Sequence, residues 1–179
     1  MALDEFNLLV STPRGLESDA CSEIWFLLRE LGDEDPLVER SEVAGLVVAK
    51  TALDSFKVIE NLRKRLRDRP QDFRYTLRFI PIEIVVRTDL DQIRRACSRL
   101  VEKIGPTETF RVTVEKRHTD LQSGEIIRAA AEVIDRKVDL ENPQKILLIE
   151  ILGRLTGVSV IVPEDILSVS KERVSSQSR

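Results

Sequence analysis

The segment from residue 137 to 151 constrains the fold more than any other part of the sequence. A helical pattern ends there, the turn Asn142-Pro143 follows, and the apolar run Ile146–Ile151 begins. The residue before a proline is biased away from helix, so this turn separates two elements. A strand that is apolar at successive positions is typically covered on both faces. We therefore predict that Ile146–Ile151 is the central strand of a sheet.

Apolar periodicity in the first half of the chain alternates between the strand and helix patterns. Asp54 or Ser55 is the predicted N-cap of the second helix, Pro70 ends it, and Pro81 suggests an edge position or a bulge in the last strand. The predicted elements are strand Phe6–Ser11, helix Leu16–Leu31, strands Leu37–Glu42 and Leu46–Lys50, helix 55–69 and strand Phe79–Arg87. This is the βαββαβ order of a ferredoxin-like domain.

The second half predicts a further α/β domain, which makes the whole chain α/β (α+β). A helix begins at Thr88-Asp89 and ends at Gly105-Pro106, and strand Phe110–Val114 follows. Ser123 is the predicted cap of a helix that runs to about Lys137, with Ile127, Ala130, Ile134 and Val138 facing inward. After the central strand, Gly153–Gly157 forms a turn and Val158–Val162 the last strand. The predicted domains are residues 1–78 and 79–168, followed by a disordered tail, residues 169–179.

Composition narrows the possible classes of protein. An apolar fraction of 42% is sufficient for a core, and the net charge of −3 argues against wholesale electrostatic binding to nucleic acid. No apolar run approaches the roughly 20 residues that cross a bilayer, and the N-terminus is unlike a signal peptide, so we expect a cytoplasmic protein without membrane contact. Cys21 and Cys97 lie in helical patterns and are predicted to be buried thiols.

Motifs for catalysis are missing from the sequence. It has one histidine, His118, and no Gly-x-Ser-x-Gly, P-loop or Gly-x-Gly-x-x-Gly motif. The acidic pairs Asp33/Asp35 and Asp89/Asp91 are explained by a solvated loop and a helix cap. We therefore predict no enzyme activity, no cofactor and no metal site.

Clusters of basic residues are the remaining functional signal. Lys116-Arg117-His118 ends a strand directly before a helix N-terminus, whose free amides can also hold a phosphate. Arg128, Arg136 and Lys137 lie on or at the end of the next helix, and the run 63–69 is followed by Arg74 and Arg78. An ordinary solvated connection is the commoner explanation of the triplet alone, and surface ion pairs explain the residues of the next helix. A solvated helix end explains the run 63–69 equally well.

Several segments of the second half resemble the THUMP domain. They are Arg78–Glu83, Phe110–Arg117, Lys137–Pro143, Ile149–Ile151 and Gly157–Val160, and the resemblance extends from about residue 78 to 162. It implies a THUMP fold after the ferredoxin-like domain. It also implies binding of structured RNA, chiefly the acceptor stem and 3′ end of tRNA.

The chain is similar in particular to stand-alone THUMP proteins that assist a tRNA cytidine acetyltransferase in making acetylcytidine. The resemblance implies a non-catalytic tRNA-binding adaptor, with Lys116, Arg117, Arg128 and Lys137 in contact with RNA. The full expected set of RNA-binding residues is Arg74, Arg78, Lys116, Arg117, His118, Arg128, Arg136 and Lys137. We expect replacement of Lys116 and Arg117 by alanine to weaken tRNA binding without unfolding the protein. The alternative is a protein-interaction module of an RNA-processing complex in which RNA binding is incidental.

Overall fold

The computed structural model describes residues Ala2–Ser178, which form two compact units. Unit 1 comprises residues 2–82 and 164–178, and unit 2 comprises residues 83–163. The chain thus leaves unit 1 once and returns to it, whereas the sequence suggested consecutive domains that meet at residue 78.

Ten strands and five helices are assigned along residues 2–178. In chain order they are β1 Leu8–Ser11, α1 Glu17–Glu30, β2 Leu37–Arg40, β3 Leu46–Lys50, α2 Ser55–Asp68, β4 Arg78–Pro81, β5 Ile84–Arg87, α3 Leu90–Arg99, β6 Thr109–Arg117, α4 Ser123–Glu132, β7 Lys137–Val138, β8 Lys145–Leu152, β9 Leu155–Ile161, β10 Leu167–Ser168 and α5 Val169–Gln177.

Unit 1 contains an antiparallel sheet in the order β10-β4-β1-β3-β2. Leu8 and Val10 of β1 pack against Ile24 of α1 and Leu62 of α2 in one apolar core. The predicted N-cap of α2 is confirmed, since the Asp54 carboxylate accepts a hydrogen bond from the Lys57 amide at 3.0 Å. Strands β1 to β4 with α1 and α2 give the predicted ferredoxin-like unit.

The prediction of a disordered tail is wrong for residues 169–178, because most of this segment forms α5. Leu167 pairs with Phe79 in the sheet, and Val169 lies in the core. Arg63 Nε of α2 lies 3.0 Å from Glu172 Oε1 of α5. The serine-rich composition of α5 gives no sign of these contacts, because they join positions about 100 residues apart in the chain.

The single strand predicted over Phe79–Arg87 is two strands in two different sheets. β4 pairs with β1 in unit 1, and β5 pairs with β9 in unit 2. Pro81 lies at the end of β4, beyond the positions that pair with β10. Proline lacks an amide donor and is tolerated where a neighbouring strand does not need one.

Unit 2 contains a mixed sheet in the order β5-β9-β8-β6-β7. β8 is parallel to β6 and antiparallel to β9. Successive residues Leu147, Leu148, Ile149 and Glu150 are all buried, so the prediction of a central strand covered on both faces is confirmed. The apolar face formed by Phe110, Ile149 and Val158 packs against α3 and α4.

The helix predicted before the central strand is shorter than its pattern suggested, and two of its four predicted inward residues, Ala130 and Ile134, are buried. α4 ends at Glu132 and its N-cap is Gln122, not Ser123. Its buried residues are Ile126, Ala129 and Ala130, while Ile127 is exposed. Ile126 and Ile127 are adjacent apolar residues that lie on different faces of the helix. The prediction placed Ile127 on the inner face, but Ile126 occupies it.

The chain after α4 also differs from the prediction. Lys137–Val138 is the short strand β7 beside Thr109 and Phe110, and Val138 is exposed. β9 begins at Leu155, because the turn after β8 needs only Gly153 and Arg154. The positive φ of Gly153, 62°, suits this tight turn.

Candidate nucleic-acid interface

The carboxyl ends of β5, β6 and β8 meet at one edge of the unit 2 sheet, because these strands run in the same direction. Two backbone hydrogen bonds make this edge continuous. The Thr88 amide donates to Arg154 O at 2.8 Å, and the Gly153 amide donates to Arg117 O at 2.9 Å. We refer to Arg87, Thr88, residues 116–118, Gly153 and Arg154 as the carboxyl rim.

The carboxyl rim carries five basic side chains. Lys116, Arg117 and His118 were predicted from the sequence, whereas Arg87 and Arg154 were missed. Arg87 lies at the end of the single strand predicted over Phe79–Arg87, and Arg154 lies in a predicted turn without a known neighbour. The sheet topology brings both to the edge at which β6 ends, since Arg87 pairs with Leu155 and Arg117 with Leu152.

Lys116 and Arg117 lie on opposite faces of the sheet because successive strand residues alternate. Lys116 is exposed, and its Nζ donates to Leu121 O at 3.0 Å in the loop before α4. His118 ends the strand with a φ of 54°, a left-handed conformation that is uncommon outside glycine, and its side chain is exposed. The loop that leads to α4 therefore turns away directly at His118.

Arg117 forms an ion pair with Glu150 of the adjacent strand β8. The Glu150 side chain is only 3% exposed, whereas 27% of the Arg117 side chain remains exposed. A buried carboxylate requires charge compensation and hydrogen bonds. Arg117 thus supports the sheet and still reaches the surface.

The other predicted residues of unit 2 do not all lie near the carboxyl rim. Arg128 is exposed on α4, but Arg136 donates from Nε to Ile104 O at 2.8 Å and is held against the fold. Lys137 pairs with Thr109 at the amino end of β6, seven residues before Lys116. At about 3.3 Å per strand residue, these two lysines are separated by roughly 23 Å along the sheet.

Arg74 and Arg78, the remaining predicted residues, belong to unit 1. Arg78 is exposed at the start of β4, between Ser11 and Ser168 on the neighbouring strands. Arg74 is exposed after the 3-10 turn Pro70–Asp72 and lines a cavity there. Neither residue belongs to the carboxyl rim.

Carboxylates occupy the helix N-termini that follow β5 and β6. Asp89 accepts a hydrogen bond from the Gln92 amide at 3.0 Å, and Glu125 accepts one from the Gln122 amide at 3.2 Å. These groups satisfy amides that were expected to hold phosphate, and their charge repels anions. Attraction of an anion at the carboxyl rim must therefore come from the basic side chains.

Thiols and acidic groups give no sign of a metal centre in residues 2–178. Within this range no three His, Cys, Asp or Glu side chains lie close enough to share a metal ion. Cys97 is free, and burial raises the pKa of its thiol to about 12, so it stays protonated at neutral pH. Cys21 is only half-buried, which corrects the expectation that both thiols are buried.

None of the helices between Ala2 and Ser178 has the length and apolar character to cross a bilayer.

The fold and the carboxyl rim define a two-unit α/β protein in which a ferredoxin-like unit accompanies a THUMP domain. Residues 87–161 match the family model of the THUMP domain. The resemblance found in the sequence is thereby confirmed for most of unit 2.

Solved structures with the same fold extend over both units. PH1313 from Pyrococcus horikoshii Ot3 has a TM-score of 0.67 and 18% identity, covering 88% of this chain and 54% of its own. TrmN from Thermus thermophilus has a TM-score of 0.55 and 16% identity, covering 87% and 45%. A 4-thiouridine synthetase in complex with RNA and ATP has a TM-score of 0.54 and 18% identity, covering 92% and 42%. The chain thus spans about half the length of these proteins or less, and no curated protein has a significantly similar sequence.

Proposed function

We propose that this protein is a non-catalytic RNA-binding adaptor that presents tRNA to a modifying enzyme. The observation that carries the proposal is the carboxyl rim of the THUMP domain, where five basic side chains lie at one continuous edge. A 4-thiouridine synthetase with the same fold has been solved in complex with RNA, which supports the choice of ligand.

Contacts to phosphates explain how such an edge binds RNA. Arginine and lysine bind backbone phosphates, and these contacts position an RNA without reading its sequence. In the proposed complex, Arg87 and Lys116 bind phosphates near the acceptor stem and the single-stranded 3′ end of tRNA. Selectivity then comes mainly from the shape of the RNA.

The proposed partner is a tRNA cytidine acetyltransferase in the cytoplasm, which performs the chemistry. This part rests on the resemblance of Lys137–Pro143 and Arg78–Glu83 to stand-alone THUMP adaptors. Copurification of the full chain from native extract, followed by identification of the bound protein and RNA, tests it directly. Recovery of a different modifying enzyme would overturn the choice of partner and leave the RNA-binding role in place.

Salt dependence of tRNA binding tests the role of the carboxyl rim. The double variant Arg87→Ala/Lys116→Ala is expected to bind tRNA more weakly, because both side chains are exposed cations. The slope of log K against log salt should fall by roughly 0.7–0.9 for each phosphate that the variant no longer neutralises. Filter binding at four salt concentrations measures this slope, and thermal unfolding verifies that the variant is folded.

The matched control is Arg40→Ala/Lys57→Ala, which removes the same charge from two exposed positions of unit 1. This control should retain the wild-type slope. Equal slopes for wild type and both variants would remove the carboxyl rim from the interface.

A protein-interaction module is the second possible function, and one observation favours it. Val138 and Leu140 are exposed beside β7, which is an edge strand of the unit 2 sheet. Exposed apolar side chains next to an open strand edge are suited to contact with another protein. Gel filtration of the natively purified complex with and without added bulk tRNA separates the two functions. A complex whose assembly does not depend on RNA favours the second.

A further inference from the structure

A cavity of about 580 Å³ lies in unit 1, and its lining contains no residue of the carboxyl rim. It is bounded by the end of α2, the turn Pro70–Asp72 and α5. This volume falls within the range of about 300–1,000 Å³ that is usual for small-molecule sites. The existence of the cavity depends on α5, the helix that sequence reasoning had interpreted as a disordered tail.

Three arginines line the cavity, and none of its lining residues is acidic. Among the described residues, the side chains of Arg67 and Arg74 form no ion pair or hydrogen bond. Each guanidinium carries five N–H donors in a planar fork that matches the oxygens of a phosphate. The cavity therefore presents an excess of positive charge that the protein itself does not compensate.

Arg173 is the third arginine, and the fold holds it in place. Its Nη2 donates to the carbonyl oxygens of Pro70, at 2.8 Å, and Phe73. These bonds use both hydrogens of one nitrogen and leave three N–H donors of the guanidinium for other acceptors. One wall of the cavity is thus fixed before any ligand binds, which lowers the entropic cost of binding.

Two carboxylates close to the cavity, Asp72 and Glu23, are committed to other groups. Asp72 Oδ2 lies 2.9 Å from Arg65 Nη2 and 3.1 Å from Arg69 Nε. Glu23 accepts hydrogen bonds from the amides of residues 74, 75 and 76. Neither carboxylate is available to neutralise Arg67 or Arg74.

The helix dipole acts against anion binding here, because the cavity lies at the negative end of α2. That effect is weak at an exposed helix end. A hydrogen bond to a charged group is stronger. Several arginine contacts therefore outweigh the dipole.

We propose that the cavity formed by Arg67, Arg74 and Arg173 binds the phosphate groups of a nucleotide-sized ligand. Leu66 and Phe73 are buried at its base and give it an apolar floor, while the amides of Gln71 and Gln177 add polar contacts at the wall. The phosphate can belong to a free nucleotide or to the 5′ end of an RNA. This site is independent of the carboxyl rim and does not require the adaptor function.

Isothermal titration of the full chain with pyrophosphate, ADP and uncharged adenosine tests the proposal. We expect saturable binding of pyrophosphate and ADP, and binding of adenosine at least tenfold weaker. The variant Arg67→Gln/Arg74→Gln should weaken the binding of pyrophosphate at least tenfold. Arg173 is left unchanged because it holds α5 to the turn.

Two control variants distinguish binding in this cavity from nonspecific electrostatic attraction. Arg40→Gln/Lys57→Gln removes the same charge from other exposed positions of unit 1 and should change the affinity less than twofold. Arg87→Ala/Lys116→Ala should also leave pyrophosphate binding unchanged, so failure of the carboxyl rim and failure of the cavity are distinguishable. An equal loss of affinity in the Arg40/Lys57 control, or no saturable binding to wild type at millimolar pyrophosphate, would overturn the proposal.

A 5′-phosphorylated oligoribonucleotide and its unphosphorylated form identify the source of the phosphate. Tighter binding of the phosphorylated form than of ADP, abolished in Arg67→Gln/Arg74→Gln, assigns the cavity to an RNA end. Tighter binding of ADP assigns it to a free nucleotide. Both outcomes support a phosphate site.

Discussion

Arg117 serves the stability of unit 2 as well as its surface charge, because its partner Glu150 is buried. We expect Arg117→Ala to lower the free energy of unfolding by about 1.5–3 kcal/mol, the usual contribution of a hydrogen bond to a charged group. Lys116→Ala removes an exposed side chain and should cost less than about 0.5 kcal/mol. Urea unfolding monitored by circular dichroism measures both changes, and Arg117→Ala/Glu150→Gln should recover part of the stability. Equal midpoints for the two single variants would contradict this role.

Sequence reasoning found the position of Lys116 and Arg117 at a strand end, but not their different environments. Adjacent strand residues point to opposite faces, so a doublet does not act as one charged group. Glu150 lies 33 residues away in sequence, and its approach to Arg117 depends on the parallel pairing of β6 with β8. Such a contact is a property of the sheet and has no local signal. We therefore expect the double replacement to lower the stability of unit 2 as well as the affinity for RNA, with the loss of stability coming from Arg117.

At the scale of elements, Arg173 joins α5 to Pro70 and Phe73 in another part of unit 1. We expect Arg173→Ala to destabilise unit 1 by about 1–2 kcal/mol, since two backbone carbonyls are deprived of a charged donor. The matched control is Lys171→Ala, an exposed residue of the same helix, which should leave the melting temperature unchanged. Hydrogen exchange should accelerate at the amides of residues 72 and 73 in the Arg173 variant only, because the turn that contains them is released. Unchanged exchange there would show that α5 is held by other contacts.

Elements whose signals are local were predicted well from the sequence. The Asp54 cap of α2 and the apolar run of β8 each depend on residues within one element, and both are confirmed. The sequence did not give the bounds of β4, β5 and β10, which depend on long-range pairing. β4 and β5 appeared as one strand because only the pairing to two different sheets separates them, and Leu167 gave no sign that it adds a strand beside Phe79.

For the whole molecule, the position of unpaired cations matters more than the net charge of −3. Many basic side chains are neutralised locally, as Lys145 is by Glu108 and Arg94 by Asp91. Within residues 2–178, Arg87 and Lys116 at the carboxyl rim and Arg67 and Arg74 at the cavity are exposed cations without an ion pair. The net charge gives only a weak long-range attraction for RNA, whereas local cations can bind phosphates. RNA binding should therefore be confined to these sites and should weaken as the salt concentration rises.

Acid should destabilise unit 1 through carboxylates whose pKa is lowered in the fold. Hydrogen bonds from the backbone, the largest from Gly45, lower the pKa of Glu17. For Asp33, burial alone would raise the pKa, but hydrogen bonds from Thr51 and Ala52 outweigh it and the pKa is lowered. A carboxyl whose folded pKa lies below its unfolded value stabilises the fold fully above the unfolded value, which is about 4, and this contribution disappears as the pH falls through the folded pKa. Stability of unit 1 should therefore decline below about pH 4.

Fluorescence of Trp25 reports on unit 1 alone, since the sequence has one tryptophan. We expect the thermal midpoint measured by Trp25 to fall between pH 5 and pH 3. The variant Glu17→Gln should flatten this fall, because an uncharged amide still accepts from Gly45 but no longer titrates. Glu34→Gln, an exposed position close in sequence, is the matched control and should follow the wild-type pH curve. If the thermal midpoints of Glu17→Gln and wild type fall in parallel, the carboxylate of Glu17 does not make the stability of unit 1 depend on pH. The acid transition then has its origin in Asp33 and Asp72, whose pKa values are also lowered.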